Sequence, residues 1–194
     1  MFKKGLTFFT TSAIAAVTLA STHILAASSS HSSHSGHSDN TVSSYGYKGI
    51  EETRTSTFEI PLPKEEAFYL FTPIGEKNWV PPFNPAFYGG KEEPKRGRVF
   101  STLLDGQFIV WQITDYDPEN NEIAYSRFIP ERDVTLLTVD VDQLSGQKSL
   151  ATVTYYYTST SEAGDEYVQK MAHNFDDYIL EWKKAVDKYL ESGR

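Results

Sequence analysis

The chain has 194 residues, a formal net charge of −8 and no cysteine. The lack of cysteine excludes disulfides, thiolate metal sites and a cysteine nucleophile. The acidic balance argues against nucleic acid as a partner, because phosphate binding needs clustered lysine and arginine. Aromatic residues make up 14% of the chain, which gives a single domain enough apolar surface for a large core or a lined cavity.

The N-terminal stretch over 1–27 has the features of a secretory signal. Lys3 and Lys4 precede a mostly apolar run over 5–19, and two alanines follow it near a plausible cleavage site. The run is short and carries several hydroxyl residues, which disfavours a retained membrane span. We therefore predict a signal peptide, export to the periplasm or the exterior, and no stable membrane anchor after cleavage.

Residues 28–44 form a serine-rich segment of low complexity. Such a composition cannot bury enough apolar surface to offset the entropy of ordering, so we predict a disordered linker. His31, His34 and His37 recur every three residues in this segment, a pattern that also suits weak metal binding. The segment lacks a second shell to fix ligand geometry, so a solvated linker is the preferred interpretation and no metal site is predicted.

The domain over 45–194 opens with a strand and two short helices. The strand is predicted over Thr53–Ile60, which is rich in threonine and ends before a pair of prolines. A helix is predicted over Lys64–Phe71 and is expected to stop at Pro73. A second helical turn is predicted over Glu76–Val80, before the next prolines.

A series of strands follows, separated by short turns rich in aspartate, asparagine, glycine and proline. One short strand is predicted within Asn84–Gly90. The longer strands are predicted over Arg98–Leu104, Phe108–Tyr116, Glu122–Ile129, Val134–Leu144 and Ser149–Thr160. Short connections between successive strands imply an antiparallel meander.

The chain is predicted to close with one long amphipathic helix over Ser161–Glu191. Its apolar residues recur at steps of three and four, at Tyr167, Met171, Phe175, Tyr178, Trp182, Val186 and Tyr189. Ser161 or Thr160 can cap the helix, and Gly164 weakens its first turn, so we expect it to begin a few residues later. A sheet and a helix with one apolar face each must bury those faces together.

This order of elements resembles the SRPBCC superfamily, which includes START domains, birch-pollen-allergen-like proteins and polyketide cyclases/dehydrases. The resemblance extends over residues 53–191 and rests on two segments, GEKNWVPPFNP at Gly75–Pro85 and VWQITDYDPENNEIAYSRF at Val110–Phe128. It implies an α+β helix-grip fold, in which a curved antiparallel sheet of about seven strands wraps around the C-terminal helix and leaves a cavity. Members mostly bind hydrophobic small molecules or lipids, and some catalyse cyclisation, dehydration or hydrolysis.

The residues of the domain predict no specific catalytic group, metal or cofactor. His173 is its one histidine, and helical spacing puts it on the polar face with Glu166 and Lys170. Neither serine–histidine catalysis nor a histidine metal site is therefore indicated. The chain also lacks a glycine-rich phosphate loop followed by a helix.

Arg127 is the most informative charged residue of the predicted strands. It alternates with Tyr125 and Ile129, and if that side faces inward the guanidinium enters the cavity and needs a carboxylate from the protein or a ligand. In the alternative, Ala124 and Phe128 mark the inner face and Arg127 is solvated.

The candidate ligand contacts combine one carboxylate with aromatic walls. Glu76 lies next to Trp79 and is either a ligand contact or general acid at the cavity mouth, or a structural group that fixes the short helix. The aromatic candidates on strands and helix either line a pocket or fill the core. The complete candidate set is Glu76, Trp79, Trp111, Tyr125, Arg127, Tyr155, Met171, Phe175 and Tyr178.

From these features we expect an exported protein that holds a hydrophobic or amphipathic small molecule, such as a lipid, an isoprenoid or a polyketide-like compound. Two alternatives use the same fold. One is a cyclase/dehydratase-type enzyme, which a buried carboxylate with a raised pKa would favour. The other is a protein-interaction module that uses the sheet surface, which an exposed apolar patch would favour. The sequence predicts no oligomeric state.

Overall fold

A computed structural model describes residues 47–104 and 106–193. The predicted signal peptide over 1–27 and the predicted linker over 28–44 lie outside the described residues. The strands are β1 (Glu51–Ile60), β2 (Ala86–Phe87), β3 (Val99–Leu104), β4 (Gln107–Asp117), β5 (Glu122–Ile129), β6 (Asp133–Ser145) and β7 (Lys148–Ser159). The helices are α1 (Lys64–Tyr69), α2 (Pro73–Glu76), α3 (Glu162–His173) and α4 (Phe175–Glu191).

All seven strands form one antiparallel sheet in the order β1-β7-β6-β5-β4-β3-β2. The meander from β3 to β7 is confirmed, and β1 pairs with β7 from Glu51↔Thr158 to Ile60↔Ser149. Register shifts in β4 and β6 add the local twist that bulges give an antiparallel sheet. The predicted α+β helix-grip fold with about seven strands and two short helices after β1 is confirmed.

The second short helix lies earlier than predicted. It spans Pro73–Glu76, not Glu76–Val80, and Thr72 caps it by accepting a 3.1 Å hydrogen bond from the backbone N–H of Gly75. Pro73 therefore occupies the first helical position, where its fixed φ and missing N–H cost nothing. The sequence predicts that Pro73 ends α1, whereas in the structure it begins α2.

The predicted single C-terminal helix is wrong, because two helices meet at Asn174. The side-chain amide of Asn174 donates to the Lys170 carbonyl at 2.8 Å, and Arg54 of β1 donates through Nε to the Ala172 carbonyl at 3.1 Å. Side chains that compete for helical carbonyls in this way bend or break a helix. No helix in the described part of the chain is long and apolar enough to cross a membrane.

The two helices do not bury the predicted stripe evenly. The fully buried line runs through Val168, Ala172, Phe175, Ile179 and Val186. The other predicted stripe residues are half-buried and pack against this core: Tyr167, Met171, Tyr178, Trp182 and Tyr189. One side of the two helices therefore presents half-buried aromatic side chains at the edge of the core.

Gly164 does not delay the start of α3. The helix begins at Glu162, and Ser161 caps it by accepting a 3.0 Å hydrogen bond from the Gly164 N–H. A Cβ atom on Gly164 would lie 1.9 Å from the carbonyl oxygen of Arg132, in the turn between β5 and β6. Glycine is therefore needed for close packing of α3 on this turn, which local helix propensity does not report.

We predict that Gly164→Ala destabilises the protein by about 1–3 kcal/mol, the usual cost of overpacking. Helix propensity alone predicts the opposite sign, with alanine better by about 1 kcal/mol. Urea denaturation measures the difference. Gly146→Ala is the control, because a Cβ there meets nothing within 4 Å. A Gly164→Ala variant as stable as the parent would contradict the close contact.

Candidate ligand site on the inner face of the sheet

The inner face of the sheet brings several predicted site residues together. Strand pairing aligns one buried row across β3 to β7, consisting of Phe100, Trp111, Arg127, Thr135 and Tyr157. The next row contains Ile113, Tyr125, Leu137 and Tyr155. Alternate residues of a strand share a face, so Trp111, Tyr125, Arg127 and Tyr155 form one continuous surface.

Arg127 lies on this inner face and is 5% exposed, whereas Phe128 points outward and is 43% exposed. The alternative in which Arg127 is solvated is therefore wrong. Its Nη2 donates to Asp133 Oδ2 at 2.6 Å and to the Thr135 hydroxyl at 3.0 Å. The carboxylate that an inward arginine needs is supplied by the protein itself.

Asp133 has no exposed surface, and both of its oxygens accept hydrogen bonds. Oδ1 accepts from Arg132 Nε at 2.8 Å, and Oδ2 accepts from Thr135 as well as from Arg127. Burial raises the pKa of this carboxyl, but Arg127 and the hydrogen bonds outweigh burial and hold the pKa below its usual value. Asp133 is thus ionised and paired with a buried cation.

Tyrosine rings surround the Arg127 guanidinium. Its Cζ lies 5.9 Å from the ring centroid of Tyr155 and 6.0 Å from that of Tyr157. From α4, the rings of Phe175 and Tyr178 approach Tyr155 with centroids 5.5 and 6.1 Å away. The structure therefore joins the predicted strand and helix residues at Tyr155, and such ring contacts add to the energy of area burial.

Three other candidates have their polar atoms satisfied within the protein, which suits them to form walls rather than anchors. Their hydrogen bonds run from Trp79 to the Leu70 carbonyl at 2.7 Å, from Trp111 to the Thr102 hydroxyl at 2.9 Å, and from Tyr125 to the Phe71 carbonyl at 2.7 Å. Two clusters of rings result, one around Trp111 and Phe100 and one around Tyr155 and Trp182.

Glu76, at the end of α2, is half-buried. Burial raises the pKa of its carboxyl well above the usual value. The pKa of Tyr125 is raised by burial and, to a lesser extent, by the nearby Glu76 carboxyl. Its side chain accepts no hydrogen bond from a described residue. A carboxyl in this environment holds its proton more tightly than a solvated one.

The remaining helix candidates differ in exposure. Met171 is half-buried against the core, whereas His173 is exposed as predicted. No group of three or more metal-ligating side chains occurs among residues 47–104 and 106–193. The charged partner of Arg127 was missed by the sequence analysis, because Asp133 falls in a segment interpreted as a turn.

We predict that Asp133→Ala lowers the free energy of unfolding at pH 7 by about 3–5 kcal/mol, because it leaves the buried Arg127 charge unpaired. The double variant Asp133→Ala/Arg127→Met should lose less, since it removes both charges. Equilibrium denaturation measures both effects. If the double variant were the less stable of the two, the ion pair would not be the cause.

The same ion pair also predicts how the free energy of unfolding changes at low pH. The pKa of Asp133 is lower in the folded than in the unfolded state, so its contribution is complete above the unfolded value of about 3.9 and is lost as pH falls through the folded value. The stability gap between parent and Asp133→Ala should therefore close at low pH. A gap that persisted unchanged at pH 2 would contradict this assignment.

The raised pKa of Glu76 predicts that its contribution to stability has the opposite dependence on pH. Its pKa is raised in the folded state, so the parent loses stability as pH rises from the unfolded value of about 4.3 through the folded value. Glu76→Gln should match the parent at pH 4 and be more stable at pH 8 in denaturation experiments. Glu65→Gln, at an exposed position of α1, is the control and should show no such divergence.

No protein-family model and no curated protein sequence matches the chain. Solved structures do. Norcoclaurine synthase from Thalictrum flavum, in complex with dopamine and hydroxybenzaldehyde, matches with a TM-score of 0.57 at 10% identity over 86% of this chain and 99% of that chain. The Zhui aromatase/cyclase of a Streptomyces species matches with a TM-score of 0.55 at 13% identity, over 75% and 97% of the two chains.

A third match is the major latex-like protein 151 of Panax ginseng, with a TM-score of 0.54 at 20% identity over 75% of this chain and 98% of that chain. At identities this low, structural similarity shows the fold only, and the function has to be argued from the residues of the site. The sheet order, the paired C-terminal helices and these three likenesses agree with the resemblance seen in the sequence. The protein has the helix-grip fold.

Proposed function

We propose that the protein is exported and binds a hydrophobic or amphipathic small molecule between the inner face of the sheet and helices α3 and α4. The observation that carries this proposal is a continuous aromatic face with one charged pair, Arg127 and Asp133, buried within it. Small-molecule sites typically combine apolar and aromatic walls with a few fixed polar groups. Removal of apolar surface from water supplies the affinity.

The proposed route of entry follows the side chains that retain accessible surface. Met171, Tyr178 and Trp182 are half-buried, and Tyr178 and Trp182 contact the fully buried Tyr155 ring. Glu76 is half-buried at the end of α2. A ligand that reached the aromatic face along α4 would meet the rings of Tyr178, Trp182 and Tyr155.

The solved structures support a small-molecule role without naming the ligand. Norcoclaurine synthase holds dopamine and hydroxybenzaldehyde, and the Streptomyces protein is an aromatase/cyclase. An enzyme of the cyclase/dehydratase type needs a proton donor beside its substrate. Glu76 has that property here, because burial raises the pKa of its carboxyl, so the same site also suits this alternative.

A second candidate function, self-association through the outer face of the sheet, is favoured by an exposed apolar patch. The patch consists of Leu103, Phe108, Phe128, Leu136 and Tyr156, which share the outer face. Its exposed apolar area is on the order of 500 Å², if a large side chain has a surface of about 150–250 Å². This area is near the upper end of the range for apolar patches on monomeric proteins.

We propose a second copy of the chain as the occupant of this patch. The far end of the outer face is acidic: Glu122 pairs with Asp140 across β5 and β6, and Asp142 follows on the same face of β6. Burial and, to a lesser extent, the neighbouring carboxylates raise the pKa of Glu122 and of Asp140. A two-fold axis across the strands overlaps the two patches and directs the two acidic ends apart. A partner with the same charge is therefore tolerated in this one arrangement.

Native mass spectrometry of the protein purified from its own compartment tests both functions in one spectrum. We expect a stoichiometric mass increment from an apolar molecule, and Met171→Arg should abolish it by placing a charge beside the aromatic face. His173→Arg, on the exposed side of the same helix, is the control and should retain it. A dimer without bound molecules, dissociated by Phe128→Glu, would favour self-association and overturn small-molecule binding.

A further inference from the structure

Three buried polar atoms on the inner face have no partner among the described residues. Ser149 Oγ lies at the start of β7, whereas Arg127 Nε and the Tyr157 hydroxyl lie in one row of paired strands. Arg127 and Tyr157 are deeply buried, with 5% and 1% of their surface exposed. Buried polar atoms in folded proteins almost always have a hydrogen-bond partner, so two orphans in one region need an explanation. The other polar contacts of Arg127 are already directed to Asp133 and Thr135.

The two atoms belong to one place in the fold. Strand pairing aligns Arg127, Thr135 and Tyr157 in the same row of the inner face, and the guanidinium carbon lies 6.0 Å from the Tyr157 ring centroid. Arg127 Nε is a hydrogen donor only. Burial raises the pKa of Tyr157, so its hydroxyl keeps its proton and can also donate. Together they offer two hydrogens to an acceptor.

The ion pairs beside these two atoms involve two arginines and one aspartate. Arg127 and Arg132 share a single carboxylate, Asp133, whose two oxygens are both occupied. Two guanidinium groups therefore share one carboxylate, and the Arg132 guanidinium carbon lies 3.6 Å from the ring centroid of Tyr167. A monoanion with two acceptor oxygens matches the two donors and the guanidinium that carries one of them.

We infer that the bound molecule is an apolar organic carboxylate whose oxygens accept hydrogen bonds from Arg127 Nε and the Tyr157 hydroxyl. This inference rests on the proposed small-molecule function and adds the chemical class of its ligand. Trp111 is the cross-strand neighbour of Arg127 on one side, and Tyr155 packs near it, so the body of the acid must be apolar. Fatty acids and aromatic acids both carry this chemistry.

Calorimetric titration of the full chain with matched pairs of ligands tests the inference. The pairs are dodecanoate with dodecanol, and 3-phenylpropanoate with 3-phenylpropanol, so each acid differs from its control at the polar end. We expect at least one acid to bind about tenfold more tightly than its alcohol. Which pair responds distinguishes a fatty acid from an aromatic acid as the class preferred.

Tyr157→Phe is the informative variant, because it removes one unpartnered hydroxyl and leaves the Arg127–Asp133 pair intact. It should weaken binding of the acid about fivefold and leave the alcohol unchanged. Tyr156→Phe, on the outer face of the same strand and 45% exposed, is the matched control and should change neither.

The outcomes separate the inference from the function on which it rests. Equal binding of acid and alcohol, or a Tyr157→Phe variant that binds the acid as tightly as the parent does, overturns the carboxylate assignment and leaves small-molecule binding intact. A buried water satisfying both atoms would produce that result. Failure of all four compounds to bind, together with no mass increment in the native spectrum, overturns both.

Discussion

The fold of this protein depends on a carboxylate that has been removed completely from water. Asp133 pairs with Arg127 across the β5–β6 turn and with its own neighbour Arg132, which stacks on Tyr167 of α3. A buried charge without these partners would cost several kcal/mol. Strand register, the turn and the docking of the C-terminal helices therefore meet at one group, and the polar chemistry of the inner face follows from the same contact.

The break between α3 and α4 determines how the helices cover the sheet. Arg54 of β1 donates to the Ala172 carbonyl beside the break, so the edge strand and the helix bend are coupled. Beyond the bend, α4 brings Tyr178 and Trp182 onto Tyr155. Aromatic rings of α4 consequently cover the inner face at Tyr155, while the half-buried side of α4 remains accessible to solvent. The candidate site therefore has an aromatic wall and one accessible side.

The sheet and the first short helix could be predicted because alternation and turns are local signals. The second short helix was predicted too late in the chain, because Pro73 was interpreted as the end of one helix and not as the start of the next. The structure brings the strand candidates Trp111, Tyr125 and Tyr155 to one face. The phase of β5 was ambiguous in the sequence, because apolar residues occur on both of its faces. The helix break at Asn174 was missed because the apolar pattern continues across it. Gly164 was misinterpreted for a related reason. Its role comes from the distant Arg132 carbonyl, and helix propensity contains no information about that contact.

The pairing of the first strand with the last has a consequence for the timing of folding. The backbone N–H of Ile50 donates a hydrogen bond to Ser159 Oγ, 109 residues later in the chain. All of β1 pairs with β7 and cannot join the sheet before β7 has formed. Contacts this distant in sequence form slowly, and none of them can form until most of the chain has been synthesised. The nascent chain therefore leaves β1 unpaired and the inner face of the sheet uncovered until β7 and the two C-terminal helices have been synthesised.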